Sequence, residues 1–215
     1  MKSSKIEVVS NVNLQPGKGN IKNRVGSRMA GFAKKYFNSL QIFVIVFGFL
    51  VLIYLFIASF SVVDGPSMQP NFQTGDLTIY EKLTTTWGKL EHGDVIVFQA
   101  PDGKDFIKRV IGLPGDTVKV EGGKVYVNGI VINEPYLSDE NKYVRAGQYF
   151  TEGREVTATE SQYIAFGDNR SVSYDSRSIG PIDKKDIKGK VWIRFWPIEK
   201  FGAVNHVRYP ELEKK

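Results

Sequence analysis

The hydropathy pattern is dominated by one uncharged apolar run, IFVIVFGFLVLIYLFIASFSVV, at residues 42–63. As a helix with a rise of ~1.5 Å per residue, a run of this length spans roughly 33 Å, which is enough to cross a hydrocarbon core. The run is too long for the apolar region of a cleaved secretory signal, and IASFSVV offers no clear small-x-small cleavage site. The pattern therefore predicts an uncleaved transmembrane signal-anchor helix over residues 42–63.

Beyond residue 64 the pattern changes to short stretches rich in β-branched and aromatic residues, which Gly, Pro, Asn and Asp separate. These stretches are DLTIYEKL, DVIVFQA, DFIKRVIGL, DTVKVEGGKVYVNGIVI, QYIAFGD and KGKVWIRFWPI. Gly-Gly and Asn-Gly inside VEGGKVYVNGIVI predict two successive hairpins. We predict a mainly β fold over residues 64–215, with short helices at most near residues 181–188 and the C-terminus.

The positive charge is concentrated before the apolar run. Residues 1–41 carry eight basic residues and one acidic residue, so the formal net charge of +6 resides in this tail. The rest of the chain has a formal net charge of −1, from 21 basic and 22 acidic residues, and shows no nucleic-acid signal, so no nucleic-acid partner is expected. The Ser, Asn and Gly content of residues 1–41 predicts that this tail is largely disordered, and its positive charge predicts that it lies in the cytoplasm. Residues 64–215 would then form an extracytoplasmic domain of a single-pass protein in the cytoplasmic membrane.

The composition limits the available chemistry. The chain has no cysteine, which excludes disulfides, thiolate catalysis and cysteine-based zinc sites. It has two histidines, His92 and His206, and no H-E-x-x-H motif, so a zinc hydrolase would lack ligands. No metal or other cofactor is expected.

Ser67 is the first candidate for chemistry, since it follows the apolar run within VVDGPSMQPNF. An ordinary turn serine is the alternative interpretation. A serine nucleophile needs a base within hydrogen-bond reach. That base is either a histidine or a buried lysine, because burial lowers the pKa of the lysine ammonium and so makes it easier to deprotonate. His92 and His206 stay open as candidates for that base.

Lys108 is the lysine best placed to be such a base. In a strand with a period of two, Phe106, Lys108 and Val110 share one face of DFIKRVIGLPGD, and Ile107 and Arg109 share the other. Lys108 would then lie on an apolar face, where an ammonium is costly. The alternative is an edge strand on which both cations are solvated.

A third stretch, GDNRSVSYDSR at residues 167–177, combines two Asp, two Arg and three Ser directly after a predicted strand. Polar loops often contain such residues. Opposite charges at this density also favour a loop that ion pairs keep rigid, as a catalytic site requires.

These stretches together resemble type I signal peptidase, a membrane-anchored Ser-Lys protease that removes signal peptides from exported proteins. We call GPSMQP the serine motif, FIKRVIGLPGD the lysine motif and GDNRSVSYDSR the last motif; GDLTIYEKL matches a further family motif. Order and spacing agree over residues 43–197. The short interval between the lysine and last motifs resembles the compact Gram-positive-type form, which implies antiparallel coiled β-sheets with a small β-cap near residues 121–160.

The resemblance also implies roles for individual residues. Ser67 matches the nucleophile, Lys108 its general base, and Ser173 the serine that hydrogen-bonds and orients the lysine. Asp175 and Arg177 match residues that hold the last motif, and Asp168 is expected to pair with Arg109. The residues that correspond to the substrate pocket or lie near it are Val63, Gly65, Met68, Phe72, Phe106 and Ile107.

Two positions depart from the family pattern. Gly65 stands where some members have a serine that serves the oxyanion, so the backbone N–H of Ser67 or water must serve it here. Asn71 replaces a threonine that is frequent after the proline of the serine motif.

The resemblance implies cleavage of preproteins after small-x-small sequences such as Ala-x-Ala, through an acyl-enzyme. Signal peptides and the lipid bilayer are the implied partners, and the secretion translocon is a further candidate. A non-catalytic single-pass surface protein with a β-rich binding domain is the alternative function. A Ser-Lys autoprotease of the SOS-repressor kind would need a DNA-binding front end and no membrane span, the reverse of this chain.

Overall fold

The computed structural model describes residues 20–204 and 206–213, and the described chain divides into two compact units after Val51. The helices are α1 (Asn20–Phe56), α2 (Leu83–Thr86) and α3 (Ser176–Ile179), with single 3-10 turns at Asp139–Asn141, Lys184–Asp186 and Ile198–Lys200. The strands are β1 (Ala58–Val62), β2 (Leu77–Glu81), β3 (Val95–Gln99), β4 (Asp105–Gly112), β5 (Thr117–Glu121), β6 (Lys124–Val127), β7 (Ile130–Val131), β8 (Glu155–Thr157), β9 (Gln162–Phe166), β10 (Ile182–Asp183), β11 (Ile187–Trp196) and β12 (Gly202–Ala203).

Helix α1 contains the apolar run but has other limits than the sequence predicted. It is 37 residues long, and its segment Lys34–Phe56 has a mean hydropathy of 2.6, which makes it long and apolar enough to cross a membrane. It begins at Asn20, within the tail predicted to be disordered, because extending a helix adds one hydrogen bond per residue without a new nucleation cost. The part of the tail before residue 20 lies outside the described residues.

The predicted helix over residues 42–63 is wrong at its C-terminal end. The helix ends at Phe56, and Ala58–Val62 form β1, which pairs antiparallel with β2 from Ala58↔Glu81 to Val62↔Leu77. Hydropathy alone cannot separate a helix from a strand in a run of apolar residues, and here the edge of β2 supplies the pairing partner.

Two antiparallel sheets form the unit that follows Val51. The larger sheet has eight strands in the order β1-β2-β11-β3-β4-β9-β10, with β12 beside β11. The smaller sheet has the order β7-β6-β5-β8 and spans residues 117–157, whereas the sequence predicted a small β-cap near residues 121–160. The mainly β fold predicted from the sequence is confirmed, but the short helices α2 and α3 lie outside residues 181–188 and the C-terminus, the places where short helices were predicted.

The two predicted hairpins are present in the smaller sheet. Gly122-Gly123 connects β5 to β6, and Asn128-Gly129 connects β6 to β7. All four turn residues have positive φ angles, which the primed turns of tight hairpins require.

The lysine motif runs through the centre of the larger sheet. Strand β4 pairs with β3 on one side and with β9 on the other, and from Ile107 onward all its residues are buried. The edge-strand alternative for Lys108 and Arg109 is therefore wrong. Because β9 leads directly into the last motif, this pairing brings residues 167–177 beside the lysine motif.

Candidate active site

Ser67 and Lys108 are in direct contact. Lys108 Nζ donates a hydrogen bond of 2.9 Å to Ser67 Oγ, although 41 positions separate the two residues in the chain. Ser67 lies in the loop that follows β1, and Lys108 lies within β4. Local sequence does not impose this contact, which arises because the loop after β1 reaches the central strand of the same sheet.

Backbone hydrogen bonds on both sides of Ser67 hold its loop. Val63 N–H donates to the Asp76 carbonyl at 2.9 Å and so ties the start of the loop to the segment before β2. Asn169 N–H donates to the Ser67 carbonyl at 2.9 Å and ties the serine to the last motif. Gly65 has a φ angle of +86°, a conformation that residues with a side chain rarely adopt. The nucleophile candidate is thus fixed by the backbone.

Lys108 lies in surroundings that disfavour its charge. Its side chain is buried, and besides Ser67 Oγ its Nζ donates only to the Ile107 carbonyl, at 2.8 Å, among the described residues. Desolvation by burial lowers the pKa of Lys108 to about 8, against the opposing fields of Asp175 and Asp168. A lysine with this pKa has an accessible neutral form near neutral pH, which a general base requires.

Two bidentate ion pairs hold the last motif. Arg109 Nε and Nη2 donate to the Asp168 carboxylate at 2.9 and 2.7 Å, and Arg177 Nε and Nη2 donate to Asp175 at 2.9 and 2.7 Å. Burial opposes ionisation of Asp175, but Arg177 and the Gly167 N–H together hold the pKa of that carboxyl below its usual range. Arg109 contacts Asp168 as the resemblance implied, and all four side chains are buried.

The structure does not show the contact expected of Ser173. Ser173 Oγ is buried and makes no hydrogen bond to Lys108 Nζ, which donates elsewhere; the Ser173 hydroxyl lies beside the Asp175 carboxylate, where it helps to lower the pKa of that carboxyl. The reason is its placement against the backbone of Gly167, where Ser173 Oγ occupies the space that a side chain at that glycine would fill. Ser173 therefore lies in the loop that was expected but does not orient Lys108 by a hydrogen bond in this conformation.

A cavity of about 190 Å³ opens in front of the Ser67–Lys108 pair. Three predicted pocket residues, Gly65, Phe106 and Ile107, line it. The remaining lining residues are Ser61, Val62, Asp64, Asp105, Val172 and Tyr174. The Phe106 ring lies 5.0 Å from Lys108 Nζ and contacts the Tyr174 ring edge to face, so one wall of the cavity is aromatic. The cavity can hold small side chains of an extended peptide.

Three other predicted pocket residues do not line this cavity. Val63, Met68 and Phe72 are buried in a core cluster together with Ile107 and residues of β2, β3 and β11. Their apolar side chains fix the loop that carries Ser67 onto the sheet. Their contribution to the site is therefore packing beneath it, because the loop turns these side chains towards the core.

Neither histidine contacts Ser67. His92 Nε2 lies 2.6 Å from Asp116 Oδ2, and His206 Nδ1 lies 2.8 Å from Asp94 Oδ1. Both line a separate cavity, which shares no residue with the one in front of Ser67. Among the described residues Lys108 is thus the basic side chain bonded to Ser67 Oγ, and no group of three or more His, Asp or Glu is arranged to hold a metal.

Sequence reasoning missed several residues around the site. Asn71, which we treated as a minor departure, donates through Nδ2 to Asp168 Oδ2 at 2.8 Å and to the Tyr136 carbonyl at 3.0 Å. Arg170 was visible in the last motif, but no pattern indicated its buried partner Glu134. Those contacts join segments far apart in the chain, so no local signal could have shown them.

Comparison with known proteins identifies the family. The model of the family described as "Signal peptidase, peptidase S26" matches residues 36–196. A signal peptidase IB of Staphylococcus aureus is 37% identical over 168 residues, which cover 73% of this chain and 87% of that protein. A probable signal peptidase I-2 of Synechocystis sp. is 36% identical over 156 residues, which cover 69% of this chain and 68% of that protein.

A crystal structure of a signal peptidase I from Enterococcus faecalis is also similar, with 32% identity over 47% of this chain and 96% of that one. Its TM-score of 0.41 is too low to support an argument about the fold. The family match and the sequence identity over most of the chain are sufficient to assign the family without this structure. The chain belongs to the signal peptidase family, peptidase S26, as its motifs predicted.

Proposed function

We propose that this signal peptidase cleaves its substrates with Ser67 as nucleophile and Lys108 as general base. The observation that carries the proposal is the 2.9 Å contact between Lys108 Nζ and Ser67 Oγ at a lysine that is 3% exposed. Family membership makes the chain a serine endopeptidase and disfavours the non-catalytic surface protein. The identity of the catalytic pair is our inference from this geometry.

The proposed reaction starts with neutral Lys108. Its amine accepts the Ser67 hydroxyl proton while Oγ attacks the scissile carbonyl carbon, and a tetrahedral intermediate forms. The C–N bond then breaks, and the protonated lysine donates that proton to the leaving amine. Water, deprotonated by the same lysine, hydrolyses the acyl-enzyme and regenerates Ser67.

The oxyanion of the intermediate needs a hydrogen-bond donor beside Ser67 Oγ. The backbone N–H of Ser67 makes no hydrogen bond to the other described residues, which supports its use as that donor. Gly65 lines the cavity and offers no side-chain donor. In the proposed site the backbone therefore takes the role that a serine hydroxyl fills in some family members.

Preproteins with small-x-small cleavage sites are the proposed substrates. The strand β1 forms an edge of the larger sheet, and its residues Ser61 and Val62 line the cavity. An extended peptide can add along this edge, which turns alternate side chains towards the cavity. The limited volume of about 190 Å³ favours small residues at those alternate positions.

Membrane attachment with the catalytic unit outside the cytoplasm is the proposed topology. The segment Lys34–Phe56 can cross a membrane by length and composition. The basic residues before it favour a cytoplasmic N-terminus. The lipid bilayer and emerging signal peptides would then be partners, and the secretion translocon is a further proposed one.

The first test is cleavage of a peptide that carries an Ala-x-Ala site by the full-length chain in detergent. We expect Ser67→Ala and Lys108→Ala to lower kcat by at least ~10³-fold, because either loss removes the nucleophile or its activation. Ser171→Ala and Lys104→Ala, two exposed residues of the same types, are the matched controls and should keep wild-type rates. Cleavage after the second alanine is measured by mass spectrometry.

Two outcomes would contradict the proposal. Near-normal activity of Lys108→Ala together with loss of activity in His206→Ala would move the base to a histidine. No cleavage by the wild type, under conditions where another signal peptidase cleaves the same peptide, would reject the proposed substrate.

A further inference from the structure

A buried polar network lies beside the proposed catalytic pair and takes no part in the reaction described above. Tyr136 OH donates to Glu134 Oε1 at 2.6 Å, accepts from Arg170 Nη2 at 3.0 Å and lies 2.9 Å from Tyr209 OH. Arg170 and Glu134 also form a bidentate ion pair, and the arginine side chain is fully buried. Three polar groups of high desolvation cost thus converge on one phenol hydroxyl.

Tyr136 also contacts the lysine motif and Asn71, the residue that directly follows the serine motif. Its backbone carbonyl accepts a hydrogen bond of 3.0 Å from Asn71 Nδ2, four residues after Ser67. Its ring lies beneath the guanidinium of Arg109, with 4.3 Å between the ring centroid and Cζ, next to Lys108 in β4. One residue therefore touches the segments of both proposed catalytic side chains through its backbone and its ring.

The hydroxyl end of Tyr136 reaches the last motif through Arg170. Arg170 Nε donates to the Gly167 carbonyl at 2.8 Å, and Asn169 N–H donates to the Ser67 carbonyl at 2.9 Å. The backbone at Gly167 is so close to Ser67 that an added Cβ would lie 2.5 Å from the Ser67 carbonyl oxygen. A shift of Arg170 would consequently move the backbone against which Ser67 rests.

We propose that Tyr136 is a positioning residue for the reaction. Together with Arg170, Glu134 and Tyr209 it fixes the positions of the serine, lysine and last motifs relative to one another. The inference rests on the proposed Ser67–Lys108 mechanism and adds residues to it. Tyr136 acts through its neighbours and does not touch the reacting atoms. Tyr209 extends the network to the C-terminal segment, which lies beyond the family match at residues 36–196.

The chemistry of the phenol suits this role. Burial raises the pKa of Tyr136 well above its usual value, so the group stays a neutral hydroxyl. A neutral hydroxyl can donate to Glu134 while it accepts from Arg170, which a methyl group or a carboxylate could not do. Phenylalanine keeps the ring beneath Arg109 but leaves buried donors without this acceptor.

The test compares Tyr136→Phe with wild type in the full-length chain, using the Ala-x-Ala peptide. We expect kcat to fall by between ~10-fold and ~100-fold, because the catalytic groups are displaced from each other. We expect KM to stay within about twofold of the wild-type value, because Tyr136 does not contact the substrate. We also expect the acidic limb of the pH profile to move to higher pH, because a looser loop lets water reach Lys108. Tyr163→Phe is the matched control, since Tyr163 is buried in β9 and its hydroxyl makes no hydrogen bond to the described residues.

Several outcomes separate the possibilities. Equal kcat and pH profiles for Tyr136→Phe and wild type would overturn the inference while the proposed function stood. A lower melting temperature with unchanged kcat below it would assign Tyr136 a purely structural role and overturn the inference too. If Tyr136→Phe does not fold, Tyr209→Phe removes one contact only, and unchanged kcat and pH profile there would count against the network. An inactive wild type would instead indicate failure of the proposed function.

Discussion

Lys108 and Arg109 are adjacent cations that burial affects in opposite ways. Both are almost fully buried in β4, but Arg109 is bonded to the Asp168 carboxylate, whereas Lys108 forms no salt bridge with a described carboxylate. The ion pair keeps the guanidinium charged. The unpaired ammonium is destabilised instead, and its pKa falls to about 8. At the residue scale, a single partner distinguishes the structural cation from the proposed catalytic one.

The pH dependence of cleavage follows from that pKa. Only neutral Lys108 can accept the Ser67 proton, so kcat/KM should rise about tenfold per pH unit below the pKa and level off above it. The midpoint is expected at about pH 8, measured with the Ala-x-Ala peptide in buffers of constant ionic strength. A midpoint near 6.5, the ordinary value of histidine, would contradict the assignment of Lys108.

At the scale of elements, the site depends on close contact between the last motif and the loop after β1. Gly167 permits that contact, because an added Cβ would lie 2.5 Å from the Ser67 carbonyl oxygen and closer still to Ser173 Oγ. The strand pairing of β4 with β9 places Gly167 there, since β9 ends at Phe166. Position 167 therefore requires a glycine, because the last motif and the loop after β1 leave no space for a side chain between them.

Gly167→Ala tests this packing. We expect a loss of about 1–3 kcal/mol in the free energy of unfolding, because backbone and a buried hydroxyl must move apart, and a fall in kcat with it. Denaturant unfolding and peptide cleavage measure the two effects. Gly48→Ala is the control, since an added Cβ there meets no atom within 4 Å. Unchanged stability and kcat in Gly167→Ala would show that the last motif does not constrain Ser67.

At the scale of the whole molecule, the proposed topology needs the basic N-terminal tail in the cytoplasm and residues 64–215 outside it. The absence of cysteine allows a direct test, since any introduced cysteine is the single thiol of the chain. Ser171→Cys, at an exposed position of the last motif, should react with a membrane-impermeant maleimide in intact cells. Ser3→Cys should react only after permeabilisation, because basic residues before a span favour the cytoplasmic side. The reverse labelling pattern would reject the proposed topology.

The sequence by itself determined that the apolar run is long and apolar enough to cross a membrane, and it determined the mainly β fold, the hairpins at Gly122-Gly123 and Asn128-Gly129, and the family. Each of these depends on local signals: hydropathy, alternation, turn chemistry and motif order. Lys108 on an apolar face was likewise readable from the period of two. The C-terminal limit of the helix was not, because an apolar residue fits a helix or a strand until a partner such as β2 is present.

Only the tertiary structure decided the contacts between distant segments. It placed Lys108 Nζ at 2.9 Å from Ser67 Oγ, turned Met68 and Phe72 into the core and formed no hydrogen bond between Ser173 Oγ and the lysine. It also joined Tyr136 to Asn71 and to the lysine and last motifs, although nothing in the sequence around Tyr136 distinguishes it. Such contacts depend on strand pairing and on ion pairs between buried charges that lie far apart in the chain. The free energies of these long-range interactions cannot be inferred from any short stretch of sequence.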